Sequence, residues 1–226
     1  MSLVLFDIDG TLLRGAGPHH KNALIEGVWR VTGRAATFDG IDTSGQLDRD
    51  LIAILLRSVG AEEADMAAAM VEIASECQRC YHANCVPDLS PFVCRGAREA
   101  LAELRGRGAV LGLVTGNLSQ IGWRKMELAG LRDFFSLGSF SEDGSTRAEL
   151  AGLALRRARD QKLVSAGCRV SLIGDHANDI LAARANGFQS VAVASGIASA
   201  AELARHFPDI LLNNLAELDC RAIMGS

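Results

Sequence analysis

Apolar and polar positions follow two rhythms along this chain, and the change of rhythm divides it. The chain opens on Leu3-Val4-Leu5-Phe6, four apolar residues that run straight into Asp7. Such a run, ended by a turn at Asp9-Gly10, predicts a strand buried on both faces. The turn-rich stretch Arg14-Gly15-Ala16-Gly17-Pro18 then breaks the pattern. From residue 19 to about 81, apolar side chains recur at spacings of three and four. Examples are Ala23-Leu24-Val28-Val31, Leu51-Ile54-Leu55 and Met66-Met70-Ile73, which predict helices and no strand. A second turn-rich stretch, Val86-Pro87-Asp88-Leu89-Ser90-Pro91, closes this block.

From Phe92 onward helical and strand-like runs alternate. Helices are predicted at 97–105, 119–129, 149–162 and 179–185, and strands at 109–114, 134–137, 169–173, 189–194 and 210–212. That alternation predicts an α/β fold, a doubly wound parallel sheet of Rossmann-like type, with a smaller all-helical unit inserted after the first strand. The expected division is a core of residues 1–13 and 91–226 and a helical cap of residues 14–90. A helical block tied by two linkers just beyond the first strand belongs over that strand's carboxyl end, as a lid.

Composition narrows the class. With 226 residues, 49% apolar and 22% charged, the chain can bury one sizeable core plus a small second unit. Its formal charge is -4 and no Lys/Arg run stands out, which argues against nucleic-acid or membrane-surface partners. No apolar run approaches the ~20 residues of a membrane span, and the amino terminus enters a strand at once. A soluble cytoplasmic protein, monomer or homodimer, is expected. Six cysteines include Cys77-x2-Cys80, followed by His82 and Cys85, a faint zinc spacing. They fall in a helical stretch without a second ligand pair, so reduced core cysteines are the expectation.

The candidate chemistry lies at three strand ends. Asp7 and Asp9 stand one residue apart at the first, Thr115-Gly116-Asn117 at the second, and Gly174-Asp175-His176-Ala177-Asn178-Asp179 at the third. Each alone reads as a turn or a helix cap. Together they mark the carboxyl edge where open α/β sheets bind ligands, and acids buried there need a cation or a proton. No dinucleotide fingerprint, P-loop, His-Glu-x-x-His or calcium-loop spacing accompanies them.

Asp7-Ile8-Asp9-Gly10-Thr11 and Gly174-Asp175 to Asp179, in this order, resemble the haloacid dehalogenase superfamily, in its branch of phosphatases and phosphomutases with a helical cap. The likeness extends over nearly the whole chain, although residues 14–90 match only in character. The resemblance implies an aspartyl-phosphate intermediate on Asp7, with Asp9 as general acid and then base. Neighbouring acids are expected to raise the pKa of Asp9 so that it holds a proton. Asp7, the backbone carbonyl of Asp9, and Asp175 are implied to hold Mg²⁺, with Asp179 completing or supporting the shell. Gly10, Thr115, Gly116 and Asn117 are implied to bind the phosphoryl group of a small phosphorylated metabolite. At 4 Å and an effective dielectric near 20, each carboxylate pair repels by about 4 kcal/mol, so a divalent ion has much to offset.

The chain departs from the family at Arg147, where a lysine is usual. A guanidinium can bind phosphate through two parallel hydrogen bonds, so Arg147 joins the catalytic and substrate-binding candidates. Its bland reading is a surface arginine paired with Glu149. His19 and His20 are read as solvent-facing residues near a hinge, His176 as facing away from a metal, and the 40–48 loop as a specificity loop. The leading expectation is a Mg²⁺-dependent phosphatase. A phosphomutase of the β-phosphoglucomutase type and a non-catalytic binding protein are the alternatives.

Overall fold

Among residues 2–225, which the computed structural model describes, six parallel strands form one sheet. Strand β1 (Leu3–Phe6) lies inside it, between β2 (Val110–Val114) and β4 (Val170–Gly174). Beyond them lie β3 (Leu137–Ser139) on one side and β5 (Gln189–Val193) and β6 (Ile210–Leu212) on the other, in the order β3-β2-β1-β4-β5-β6. In register, Phe6 stands opposite both Leu113 and Ile173. Asp7, Thr115 and Asp175 therefore emerge within one residue of a common edge.

The first strand is apolar at every position because both its faces are covered. Val4 and Phe6 pack with Leu101 and Leu104 of α4 (Ala97–Gly106), Met126 of α5 (Ser119–Leu128) and Ile223 of α9 (Cys220–Met224). Leu3 and Leu5 pack on the opposite face with Leu150 and Ala154 of α6 (Arg147–Asp160) and Ala182 and Ala183 of α7 (Ala177–Ala185). Burying each of these four side chains contributes about 1.5–3 kcal/mol, enough to fix the strand's depth and register.

Between β1 and α4 the chain forms three α-helices, α1 (His19–Thr32), α2 (Asp48–Ser58) and α3 (Glu63–Asn84). They enclose their own apolar cluster around Leu24, Val28, Ile52, Leu55 and Ile73, which takes in Leu118 and Ile121 from the start of α5. The linkers at either end run side by side: the Arg14 amide donates to Phe92 (2.9 Å) and the Cys94 amide to Leu12 (2.9 Å). The two connections to the helical insert thus lie just past the carboxyl end of β1. Cys77 and Cys80 are buried in α3, and burial pushes the Cys77 thiol up, as for a core residue. All six cysteines are free thiols. No helix among the described residues is long and apolar enough to cross a membrane.

The strand expected at 134–137 is displaced. Arg132–Phe134 is a 3₁₀ turn, and β3 begins only at Leu137. Phe135 is aromatic because it packs edge-on against Phe6, not because it lies in the sheet. Two helices start two residues earlier than expected, since the Thr146 hydroxyl and the His176 ring accept amide bonds from Glu149 and Asn178 and set the first turns at Arg147 and Ala177.

Candidate active site

Two strand ends, those of β1 and β4, deliver three carboxylates to one place. Asp7, Asp175 and Asp179 are buried, and one oxygen from each lies within 4.8 Å of the others. Asp175 follows β4 and accepts a hydrogen bond from the Thr11 hydroxyl (3.2 Å). Asp179 comes from the first turn of α7 and accepts from the His176 amide (3.2 Å), closing a capping box. Gly10 has a φ of 92°, and a Cβ there would run into the Asp175 carboxylate. Only glycine lets the first and third strand ends approach so closely.

Arg147 is buried among these acids, at the first residue of α6. Its Nη1 donates to Asp7 Oδ1 (3.2 Å), and its Nε lies 3.3 Å from Asp179 Oδ1. The surface reading with Glu149 is overturned: the Glu149 carboxylate accepts from the Ser145 amide (2.7 Å) instead. A cation at a helix amino end opposes the dipole, so the two carboxylates are what hold it there. Arg147 Nε and Asp179 Oδ1 are nonetheless buried without hydrogen-bond partners.

Charge at this corner is under-compensated. Burial lifts Asp7 to about 7 although Arg147 pulls the other way, with Asp179 and Asp9 adding to the rise. Burial, then the charges of Asp7 and Asp179, lift Asp175 to about 8. Asp179 is raised too, by burial opposed by Arg147 and the His176 amide. One guanidinium cannot neutralise three carboxylates. An all-oxygen, over-charged cluster with an unsatisfied oxygen has the donor set of a hard divalent cation.

Asp9 is governed differently, and the expectation for it is corrected. Loss of water raises its pKa, but the charge of Lys125, with hydrogen bonds from Lys125 and Asn117, outweighs that and brings it down to about 2. Lys125 Nζ lies 2.6 and 2.8 Å from the two Asp9 oxygens, and the Asn117 amide donates to Asp9 Oδ2 (2.8 Å). Asp9 is an ionised carboxylate here, and its side chain is not part of the cluster of three.

Lys125 escaped the sequence reading. It is 2% exposed on α5, in the inward stripe with Ile121, Gly122 and Met126. A lysine inside an apolar helix stripe is the signal that could have found it. Its Nζ also donates to Asn117 Oδ1 (2.6 Å) and meets His20 Nδ1 (3.0 Å). His20 faces inward, contrary to expectation, and its Nε2 lies 2.8 Å from Asp48 Oδ2. His19 is partly exposed at the start of α1.

Asp7, Asp9, Asp175, Arg147, Lys125, His20 and Asp48 line one cavity of about 740 Å³. Its floor is Asp7, Asp9, Gly10, Thr115, Gly116, Asn117, Arg147 and Asp175, and its roof includes Leu24, Gln46, Asp48, Leu51 and Tyr81 of the insert. Asp179 sits behind that floor. Asn117 is a junction, donating to the Thr115 hydroxyl (2.8 Å) as well as to Asp9. From the 40–48 loop, Gly45 accepts from the Asn178 side chain (3.0 Å), and His176, which lines the same cavity, lies beneath it.

Residues 1–187 match the model of the haloacid dehalogenase-like hydrolases. The chain belongs to that family. It is 28% identical over 225 residues to a phosphoglycolate phosphatase of Synechococcus elongatus, covering 96% of this chain and 95% of that one. It is 27% identical over 234 residues to the pyrophosphatase PpaX of Bacillus pumilus, covering 100% and 97%. A solved β-phosphoglucomutase of Clostridium difficile shares the fold with a TM-score of 0.69 at 15% identity, covering 100% of this chain and 96% of that one.

Proposed function

We propose that this hydrolase is a Mg²⁺-dependent phosphatase that releases phosphate from a small phosphorylated metabolite. The observation that carries the reading is the convergence of Asp7 and Asp175 on the cavity floor, with Asp179 behind it, around Arg147. The two phosphatase relatives, alike over nearly their whole lengths, support the same reading.

Asp7 attacks phosphorus and carries the phosphoryl group as an aspartyl-phosphate. It is the floor carboxylate that the Arg147 guanidinium touches, so attacker and phosphate-binding cation are adjacent. Arg147 holds phosphoryl oxygens by charge and by paired N–H donors. The Thr115 hydroxyl accepts from Asn117, which leaves its own proton to donate to an incoming oxygen. Asp9 acts on the proton of the leaving oxygen and then of the attacking water. Its low pKa leaves it ionised and so open to the water's proton in the second step; in the first, it serves leaving groups once a proton reaches it. Asp7, Asp175 and the backbone carbonyl of Asp9, with Asp179 in support, would hold Mg²⁺, which would supply charge neutralisation for an anionic substrate approaching an acidic site. Residues 14–90 serve as the cap, excluding bulk water and selecting the substrate, with the 40–48 loop as a contributor.

The non-catalytic alternative rests on Arg147 replacing a lysine; the contact of Arg147 with Asp7 supports the catalytic reading instead. The phosphomutase alternative uses the same residues and is separated by product. A panel of sugar phosphates, phosphoglycolate and nucleotides, assayed with and without chelator, tests the reading. Phosphate release that requires Mg²⁺ supports it. Isomeric phosphate without free phosphate favours the mutase, and silence across the panel overturns both.

A further inference from the structure

The buried lysine has no part in the scheme above, yet it touches the group on which both proton transfers depend. Lys125 is 2% exposed and its ammonium meets four acceptor atoms: both Asp9 oxygens, Asn117 Oδ1 and His20 Nδ1. An ammonium only donates, so Nδ1 of His20 must accept, which leaves the proton on Nε2 to donate to Asp48. Asp48 Oδ2 accepts that bond and a second one from the Leu118 amide (2.7 Å) at the start of α5. The Asp48 amide in turn donates to Gly116 (2.7 Å), and the Arg49 amide to the Ser141 hydroxyl (2.8 Å). Asp48, His20, Lys125 and Asp9 thus form one chain of bonds. Its first two members belong to the helical insert and its last two to the sheet domain.

This asymmetry matters because, among the described residues, the Asp9 side chain is held besides Lys125 only by the Asn117 amide. Its side chain is 46% exposed on the cavity floor, free to rotate if released. A long lysine side chain also has much rotamer freedom, and fixing it requires partners. Here two of its partners, Asn117 and Asp9, are on the floor, and the third, His20, descends from the roof. We propose that Lys125, steadied by the His20–Asp48 pair of the insert, is a positioning residue that aims the Asp9 carboxylate, and does so only while the insert is seated on the sheet domain.

This rests on the phosphatase reading, and leaving-group dependence separates the two. Ester cleavage expels an alkoxide that needs a proton from a poor leaving group such as that of 2-phosphoglycolate, whereas 4-nitrophenolate leaves without one. Misaiming Asp9 therefore lowers kcat/KM selectively on the alkyl ester. It also slows hydrolysis of the phosphoenzyme, which is common to both substrates. Lys125→Met is expected to lower kcat/KM for 2-phosphoglycolate by ~100-fold and for 4-nitrophenyl phosphate by less than ~10-fold, within the range general acid–base groups supply. With the aryl ester, a burst of one nitrophenolate per active site should precede a slowed steady state. His20→Gln should show the same pattern at smaller amplitude, and keeps the test open should the lysine variant fold poorly. Equal losses on both esters, or none, in folded variants of an active wild type would overturn the positioning role alone. A wild type silent on both esters and across the panel above would overturn the phosphatase reading and this inference with it.

Discussion

Asp7 and Asp9 are one residue apart, share a cavity and have the same side chain, yet they live in opposite electrostatic worlds. At the Asp7 corner, three buried carboxylates face one guanidinium, and burial drives Asp7 to about 7. At the Asp9 corner, one half-exposed carboxylate faces a buried ammonium and two supporting side chains, and its pKa falls to about 2. The difference teaches how an Asp-x-Asp run becomes a site. Two identical groups whose environments push their proton affinities apart can take different tasks. The first corner lacks positive charge and invites a cation; the second has all it needs and holds its carboxylate ionised.

The largest break in this comparison comes from Asp7→Asn. Removing the attacking carboxylate should lower kcat by ~10⁴–10⁶-fold, as loss of a nucleophile does elsewhere, with the circular-dichroism spectrum unchanged. Asp175→Asn attacks the same corner through its cation. The Mg²⁺ concentration for half-maximal activity should rise at least by the ~10–100-fold that losing even a supporting partner costs a metal site.

Titration sharpens the contrast with the sign of each corner. Asp7 and Asp175 bind protons more tightly in the folded, metal-free protein than at their ordinary value of 3.8. The stability they contribute is present below about pH 4 and is lost as pH rises through about 7 and 8. Asp9 runs the other way: its contribution is present above about 4 and is lost as pH falls through about 2. In chelator, Tm should therefore decline between about pH 5 and pH 8, and added Mg²⁺ should raise it most at the upper end. A chelated protein whose Tm rises over that window contradicts the charge balance drawn for the Asp7 corner. The smallest effect belongs to the seam above both. Gly45 has a φ of 63° and lies against His176, so Gly45→Ala should cost ~1–3 kcal/mol and raise KM more than it lowers kcat.

The sequence made the Asp7 corner legible but only half of the Asp9 corner: Asp9 and Asn117 were in view, Lys125 and the inward His20 were not. Asp7, Asp175, Thr115 and Arg147 could be placed because each sits at or near the carboxyl end of a strand, or starts a helix, where a polar residue interrupts an apolar pattern. The sheet was legible for the same reason: strands covered on both faces, such as Leu3–Phe6, read as unbroken apolar runs. Lys125 was hidden because burial of a lysine is decided by partners from distant segments, residues 9, 20 and 117, that periodicity does not connect. His20 was misread for a related cause: near a glycine-rich linker, exposure is the default until a tertiary contact with Asp48 overrides it. The misplaced strand at 134–137 shows the same limit, since Phe134-Phe135 has strand-like composition but serves a side-chain contact with Phe6.

The central claim is that the two corners divide the chemistry, with Asp7 taking the phosphoryl group and Asp9 handling protons. The direct measurement is intact-protein and peptide mass spectrometry of Asp9→Asn mixed with 4-nitrophenyl phosphate and Mg²⁺, then quenched in acid. The division predicts a single phosphoryl adduct on the peptide carrying Asp7, formed because the good leaving group departs unaided and retained because the base is missing. No adduct in a folded, metal-loaded sample, or an adduct that persists when Asp7 is also changed to Asn, would contradict it.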